Sequence, residues 1–112
     1  MQIAIKGTNE LVTDELRKYV ERQFRTIEKQ LLPSCRETAE AEVSFRRKGE
    51  EQACKLSLTL PKDRFMIEET TVNAYAAVDI VMPATRDFLR AYNRRHGGGK
   101  LYHRLRMRLA RI

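Results

Sequence analysis

The sequence predicts an α+β fold in the order βαβββα, with one four-stranded sheet and two helices packed on a single face of it. Three observations lead there. Short segments alternate apolar and polar side chains, which gives each strand one buried and one wet face. Two longer segments instead repeat apolar residues every three or four positions, the period of an amphipathic helix. The length of 112 residues, 42% of them apolar and 33% charged, is enough for one hydrophobic core and too little for two.

The first strand is read over residues 1–6, where Ile3 and Ile5 share a face before Gly7. Thr13 then offers a helix cap, Asp14 and Glu15 suit the positive end of a helix dipole, and Leu16, Val20, Phe24, Ile27 and Leu31 recur at helical spacing. A first helix from Asp14 to Leu31, closed by Pro33, follows. Ala39, Ala41, Val43 and Phe45 alternate with polar residues, and so do Cys54, Leu56, Leu58 and Leu60, so these are the second and third strands. Lys48-Gly49-Glu50 turns between them, and Pro61-Lys62-Asp63 leads to a short fourth strand at Phe65-Met66-Ile67, extended weakly through Thr71. From Asn73 as cap, a second helix runs from Ala74 to about Arg95 with Val78, Val81, Met82, Phe88, Leu89 and Tyr92 on one side. Pro83 lies inside it, where a missing donor and a ring clash cost roughly 3 kcal/mol, so a kink or break is expected near Met82. The domain is therefore placed at residues 1–96. Residues 97–112 form a Gly97-Gly98-Gly99 hinge and a basic tail.

The charge is unevenly distributed. Residues 1–71 hold thirteen Lys/Arg and thirteen Asp/Glu, whereas residues 72–112 hold nine Lys/Arg against Asp79 and Asp87, so the whole net charge of +7 arises there. Such a field suits a polyanion. No apolar run is long enough to span a membrane, and the N-terminal residues lack the apolar stretch of a signal peptide. Cys35 and Cys54 form neither a disulfide framework nor a metal knuckle, so a reducing cytoplasm is the expected compartment.

On the first helix, Lys18, Arg22, Arg25 and Lys29 form a line roughly 16 Å long, displaced from the apolar stripe. Glu21 and Glu28 are close enough in sequence to pair with Arg25 or Lys29, in which case the line is only a solvated face. On the second helix, Arg86, Arg90, Arg94 and Arg95 have almost no acids nearby. Exposed ion pairs explain them poorly, whereas the planar guanidinium suits phosphates and bases. Side by side on the sheet, the two helices would join these rows into one basic groove. Glu40 and Glu42 point to the opposite face, which predicts an acidic sheet surface. In the tail, Lys100 to Ile112, the pattern fits a helix and a strand equally. An RNA-binding arm, a membrane-surface helix and a self-associating segment all suit it.

Catalytic chemistry has no foothold in the pattern. His96 and His103 match no zinc spacing, and the three glycines follow a helix rather than a strand, so no P-loop is formed. Cys54 shares a face with Leu56 and Leu58, while Glu68 and Glu69 point to opposite sides of a strand. No enzyme activity, metal or cofactor is expected.

The segments MQIAIKGTN, VTDELRKYVERQF and NAYAAVDIV resemble the ribosome hibernation-promoting factor family, also called ribosome-associated inhibitor or protein Y. The marks are Leu16-Arg17, Tyr19-Val20 and the run Tyr75 to Asp79, and the likeness covers about residues 1–95 in element order and length. The resemblance implies a βαβββα domain that sits in the decoding channel of the small ribosomal subunit, contacts rRNA through both helices and blocks mRNA and tRNA during stress. It places the family's basic faces on Arg22, Arg25 and Lys29 and on Arg86 and Arg90. The chain departs from the family at Met82-Pro83-Ala84-Thr85, where members usually continue an unbroken helix with an aliphatic residue at the Thr85 position. Its glycine joint and basic tail match neither the short nor the long members. Translation inhibition by occupancy is thus the expected function. The runner-up is a protein-interaction or transcription-modulating module acting through the acidic sheet and the tail.

Overall fold

A computed structural model of the chain describes residues 1–96. The hinge, the tail and the self-association expected of it lie outside the described residues. The elements are β1 (Gln2–Lys6), α1 (Asp14–Gln30), a 3-10 turn (Pro33–Cys35), β2 (Glu40–Lys48), β3 (Glu51–Leu60), β4 (Asp63–Thr71) and α2 (Ala74–His96). They form the expected βαβββα order, and the sheet runs β1-β2-β3-β4. β1 and β2 are parallel, joined by the α1 crossover, and the remaining pairs are antiparallel.

The helix caps come from the residues that propose them. The Thr13 hydroxyl accepts from Leu16 N at 3.2 Å and the Asn73 side-chain oxygen accepts from Ala76 N at 2.8 Å, each satisfying a backbone donor at a helix start. Gln52 on β3 accepts from Ala74 N at 2.7 Å, fastening the start of α2 to the sheet. α1 stops at Gln30, with Leu31 extended as the cap and Pro33 opening the 3-10 turn. Gly7 closes β1 at φ +151°, and a Cβ there would meet Val12 Cγ2 at 2.7 Å and the carbonyl oxygen of Phe45 at 3.0 Å, so only glycine fits.

The core is a single cluster between the helices and one sheet face. Leu16, Val20, Phe24 and Ile27 of α1 and Val78, Val81, Met82, Leu89 and Tyr92 of α2 are buried against Val43, Phe45, Cys54, Leu56 and Leu58. Burial of this kind supplies most of a small domain's stability. It also pushes the Cys54 thiol up to about 12, so that it stays protonated and acts as a small apolar side chain.

Two expectations need correction. β4 starts at Asp63, two residues before the expected Phe65, and its extension through Thr71 is fully paired rather than weak, because each of Asp63 to Thr71 pairs with β3 and leaves only Pro61-Lys62 to turn the chain. α2 is a single helix from Ala74 to His96 with Pro83 inside it, so no break occurs. Pro83 is exposed on the side away from the core, while Val81, Met82 and Thr85 around it are buried. Packing of those neighbours holds the helix through the position that local propensity disfavours. The buried Thr85 hydroxyl donates to Val81 O at 2.7 Å, the helical back-bond by which a polar group enters a core without orphaning its donor.

Candidate nucleic-acid interface

The two helices lie side by side and run in the same direction. Near their starts Tyr19 of α1 meets Tyr75 and Asp79 of α2, and near their ends Asn93 of α2 donates to Gln30 O at 2.8 Å. At about 100° per residue, Lys18, Arg22, Arg25 and Lys29 fall within an arc of about 60° opposite the buried stripe of α1. All four are exposed. Among the described residues none has a carboxylate within salt-bridge range, so the pairs that Glu21 and Glu28 offered do not form. The acids still flank the row: one shallow depression is lined by Glu15, Lys18, Glu21, Arg22 and Arg25. A second, of about 410 Å³, gathers Arg25, Lys29 and Arg36 around Glu28. Arg36 is a cation that the first-helix periodicity could not include, since it follows the helix.

The arginines of α2 separate into three positions. Arg86 shares a helix face with Asp79 and Asn93, which both reach α1, so it is turned into the groove and is half-buried. Arg90 lies about 20° to the other side of Asp79, so it borders the same face but is exposed and pairs with Asp87 at 2.6 Å, and Arg94 is exposed farther round the helix. Arg95 lies on the opposite flank and reaches Asp63 of β4 at 3.1 Å, away from α1. The lack of acidic partners expected from the sequence therefore holds for Arg86 and Arg94 and fails for Arg90 and Arg95. Exposed pairs of this kind are worth about 0–1 kcal/mol, so the Asp87 contact leaves Arg90 free to exchange partners. Arg86 is thus the half-buried member of the row beside α1, with Arg90 and Arg94 exposed along its rim.

At the end of the groove where both helices start is an aromatic cluster. The Tyr19 hydroxyl donates to Asp79 Oδ1, and its ring is 5.3 Å from that of Tyr75 with a 56° tilt. The Arg22 guanidinium carbon sits 5.9 Å from the Tyr19 ring centre, within cation–π range. The hydrogen bond to Asp79, then burial and the carboxylate's charge, raise the Tyr19 hydroxyl above its ordinary range. Sequence reasoning marked Tyr19, Tyr75 and Asp79 as motif residues without joining them, because the bond spans 60 positions.

The outer sheet surface corrects the remaining electrostatic expectation. The strand register places Lys6, Arg46, Lys48, Lys55 and Arg64 there beside Glu40, Glu42, Glu51 and Glu68, so the face is mixed rather than acidic. Several of these charges pair: Lys6 with Glu42 at 3.3 Å, and both Arg46 and Lys48 with Glu68 at 2.7 and 2.9 Å. The hydrogen bonds from Arg46 and Lys48 pull the Glu68 carboxyl down to about 2. Among the described residues no cluster of three or more His, Cys, Asp or Glu side chains stands ready for a metal, and no helix is long and apolar enough to cross a membrane.

An open-faced α+β sandwich with a row of unpaired cations along its helix layer defines the class. Residues 3–96 match the family described as Sigma 54 modulation protein / S30EA ribosomal protein, and the chain belongs to that family. This agrees with the resemblance to ribosome hibernation-promoting factors and makes the protein a ribosome-associated modulation factor. Among solved structures, the chain is similar to the N-terminal domain of Thermus thermophilus protein Y, at 22% identity and a TM-score of 0.70, over 82% of this chain and 99% of that one. It is also similar to a ribosomal subunit interface protein from Coxiella burnetii, at 18% identity and a TM-score of 0.68, over 83% and 98% of the two chains. At these identities the likeness concerns the fold. A search of curated proteins finds no match.

Proposed function

We propose that this protein inhibits translation by occupying the mRNA and tRNA decoding channel of the small ribosomal subunit, with its helix layer bound to rRNA and its sheet turned away. The observation that carries this reading is the set of cations without carboxylate partners on that layer: Lys18, Arg22, Arg25 and Lys29 on α1, and Arg86 and Arg94 on α2. Arg90, on the rim, joins them when phosphate replaces Asp87, and Arg95 contributes only if it leaves Asp63. Phosphate contacts supply affinity and the shape of the helix pair supplies placement, so inhibition follows from occupancy and needs no chemical step. Action on ribosomes places the protein in the cytoplasm. The alternative of a basic partner docking on an acidic sheet loses its premise, because that sheet face carries both signs.

The test is co-sedimentation of the full chain with 70S ribosomes and with separated subunits at two salt concentrations. If about six phosphates are engaged, affinity falls about a thousandfold between roughly 50 and 200 mM salt. The double reversal Arg86→Glu with Arg90→Glu should abolish small-subunit binding. Equal binding to both subunits, or binding indifferent to salt and to the reversal, would refute the proposal.

A further inference from the structure

Asp79 is out of place on a surface built for phosphates. It sits exposed on the groove face of α2, seven positions before Arg86, where a carboxylate repels the very groups the neighbouring cations attract. Anchoring Tyr19 uses only Oδ1, and among the described residues Oδ2 has no hydrogen-bond partner. Beside it, Tyr75 is 39% exposed, unusual for a large ring at a helix–helix junction, and its tilted contact with Tyr19 leaves part of its surface open. Arg22 is close by, held against Tyr19.

Taken together these are complementary to one nucleotide: a cation for the phosphate, an aromatic surface for the base and a lone acceptor for the base edge. We infer that Tyr75, Asp79 and Arg22 form a seat for a single unpaired nucleobase bearing an exocyclic amino group, at the end of the helix groove where α1 and α2 start. The inference rests on the RNA-binding reading above and adds base selectivity to it. Stacking on Tyr75 tolerates any base. Asp79 discriminates, because a carboxylate accepts from the amino group of cytosine but repels the carbonyl oxygen that uracil presents at the same position. Tyr19 is a positioning residue: its hydroxyl fixes the Asp79 rotamer, and its ring holds Arg22.

The experiment measures binding of the full chain to short fluorescein-labelled oligocytidylate and oligouridylate across a salt series. Wild type should prefer oligocytidylate. Asp79→Asn keeps an acceptor for Tyr19 but turns the free end of the side chain into a donor, so the preference should reverse toward oligouridylate. Tyr75→Ala should weaken both oligomers about tenfold with the salt slope unchanged, and Tyr75→Phe should bind as wild type. Thermal melts of each variant separate loss of the seat from loss of the fold, and a Tyr75→Ala variant that melts early leaves the Asp79→Asn reversal to decide. Equal affinity of wild type for the two oligomers, a preference untouched by Asp79→Asn, or a Tyr75→Ala effect that appears as a changed salt slope would overturn the seat. Salt-dependent RNA binding without base preference would leave the RNA-binding reading standing, whereas no RNA binding by wild type would remove both.

Discussion

The helix layer and the outer sheet surface both carry charges of either sign and arrange them differently. On the sheet, cross-strand neighbours bring Lys6 to Glu42 and both Arg46 and Lys48 to Glu68, so these three cations are neutralised within the molecule, while Lys55 and Arg64 have no ion-pair partner among the described residues but lie among acids of the same face. On the helices, Lys18, Arg22, Arg25, Lys29, Arg86 and Arg94 stand without such partners. Residues 1–96 hold seventeen Lys/Arg against fifteen Asp/Glu, so their net charge alone would hardly identify a polyanion-binding domain. What matters is which cations have been left without a partner, and on which face.

The comparison is most easily broken by reversing charge on each side in turn. Arg25→Glu with Arg86→Glu should weaken ribosome binding by about a hundredfold or more, since two phosphate contacts are lost and two repulsions added. Lys55→Glu with Arg64→Glu, on the sheet, should change it less than about threefold. Comparable losses from the two pairs, measured by co-sedimentation at one salt concentration, would erase the distinction between the faces.

A smaller effect concerns the backbone that presents the α2 row. Pro83→Ala restores an N–H to the helix at an exposed position and should raise stability by about 1–2 kcal/mol in urea unfolding, less than the full interior penalty because water already reaches that side. A loss of stability would mean that the proline fits this helix better than alanine does.

The smallest effect belongs to the sheet. With its carboxyl held at about 2 in the fold against an ordinary 4.5, Glu68 binds protons less readily when native than when unfolded. Its stabilisation is therefore complete above about pH 4.5 and lost as pH falls toward 2. Glu68→Gln should lower the urea midpoint slightly at neutral pH, match wild type near pH 2 and leave ribosome binding unchanged. A gap that persists in acid would assign the effect to packing instead of charge.

Most of the fold was legible because its determinants are local. Alternation at Ala41 to Phe45 and Cys54 to Leu60, the helical period from Leu16 to Ile27 and the caps Thr13 and Asn73 each act within a few residues. Glu68 to Thr71 read as only a weak extension of β4 because they carry no apolar alternation, and Asp63-Arg64 read as turn; the full pairing of both stretches comes from β3. The path through Pro83 was misjudged because burial of Met82 and Thr85 is a property of the assembled core. For the interface, helical spacing found the cation rows, but which arginines are occupied depends on contacts such as Arg95 with Asp63, 32 positions apart, which leave no trace in local sequence. The acidic sheet was a misreading of the same kind. Glu40 and Glu42 are visible in sequence, while the cations set beside them come from other strands.

Pro83 and Asp79 are four positions apart, so the residue whose carboxylate ties α2 to Tyr19 is also the one whose carbonyl loses its usual helical donor. Asp79 thus stands at the gap in the hydrogen-bond ladder of α2, between a stretch fastened through Gln52 and Tyr19 and one fastened through Gln30 and the buried Tyr92 ring. In hydrogen-exchange terms, the amides just after the proline should open with a lower free energy than those at either end of the core-facing stripe. A bound polyanion spanning both stretches would slow that exchange, making the proline region the most sensitive reporter of occupancy on the helix layer.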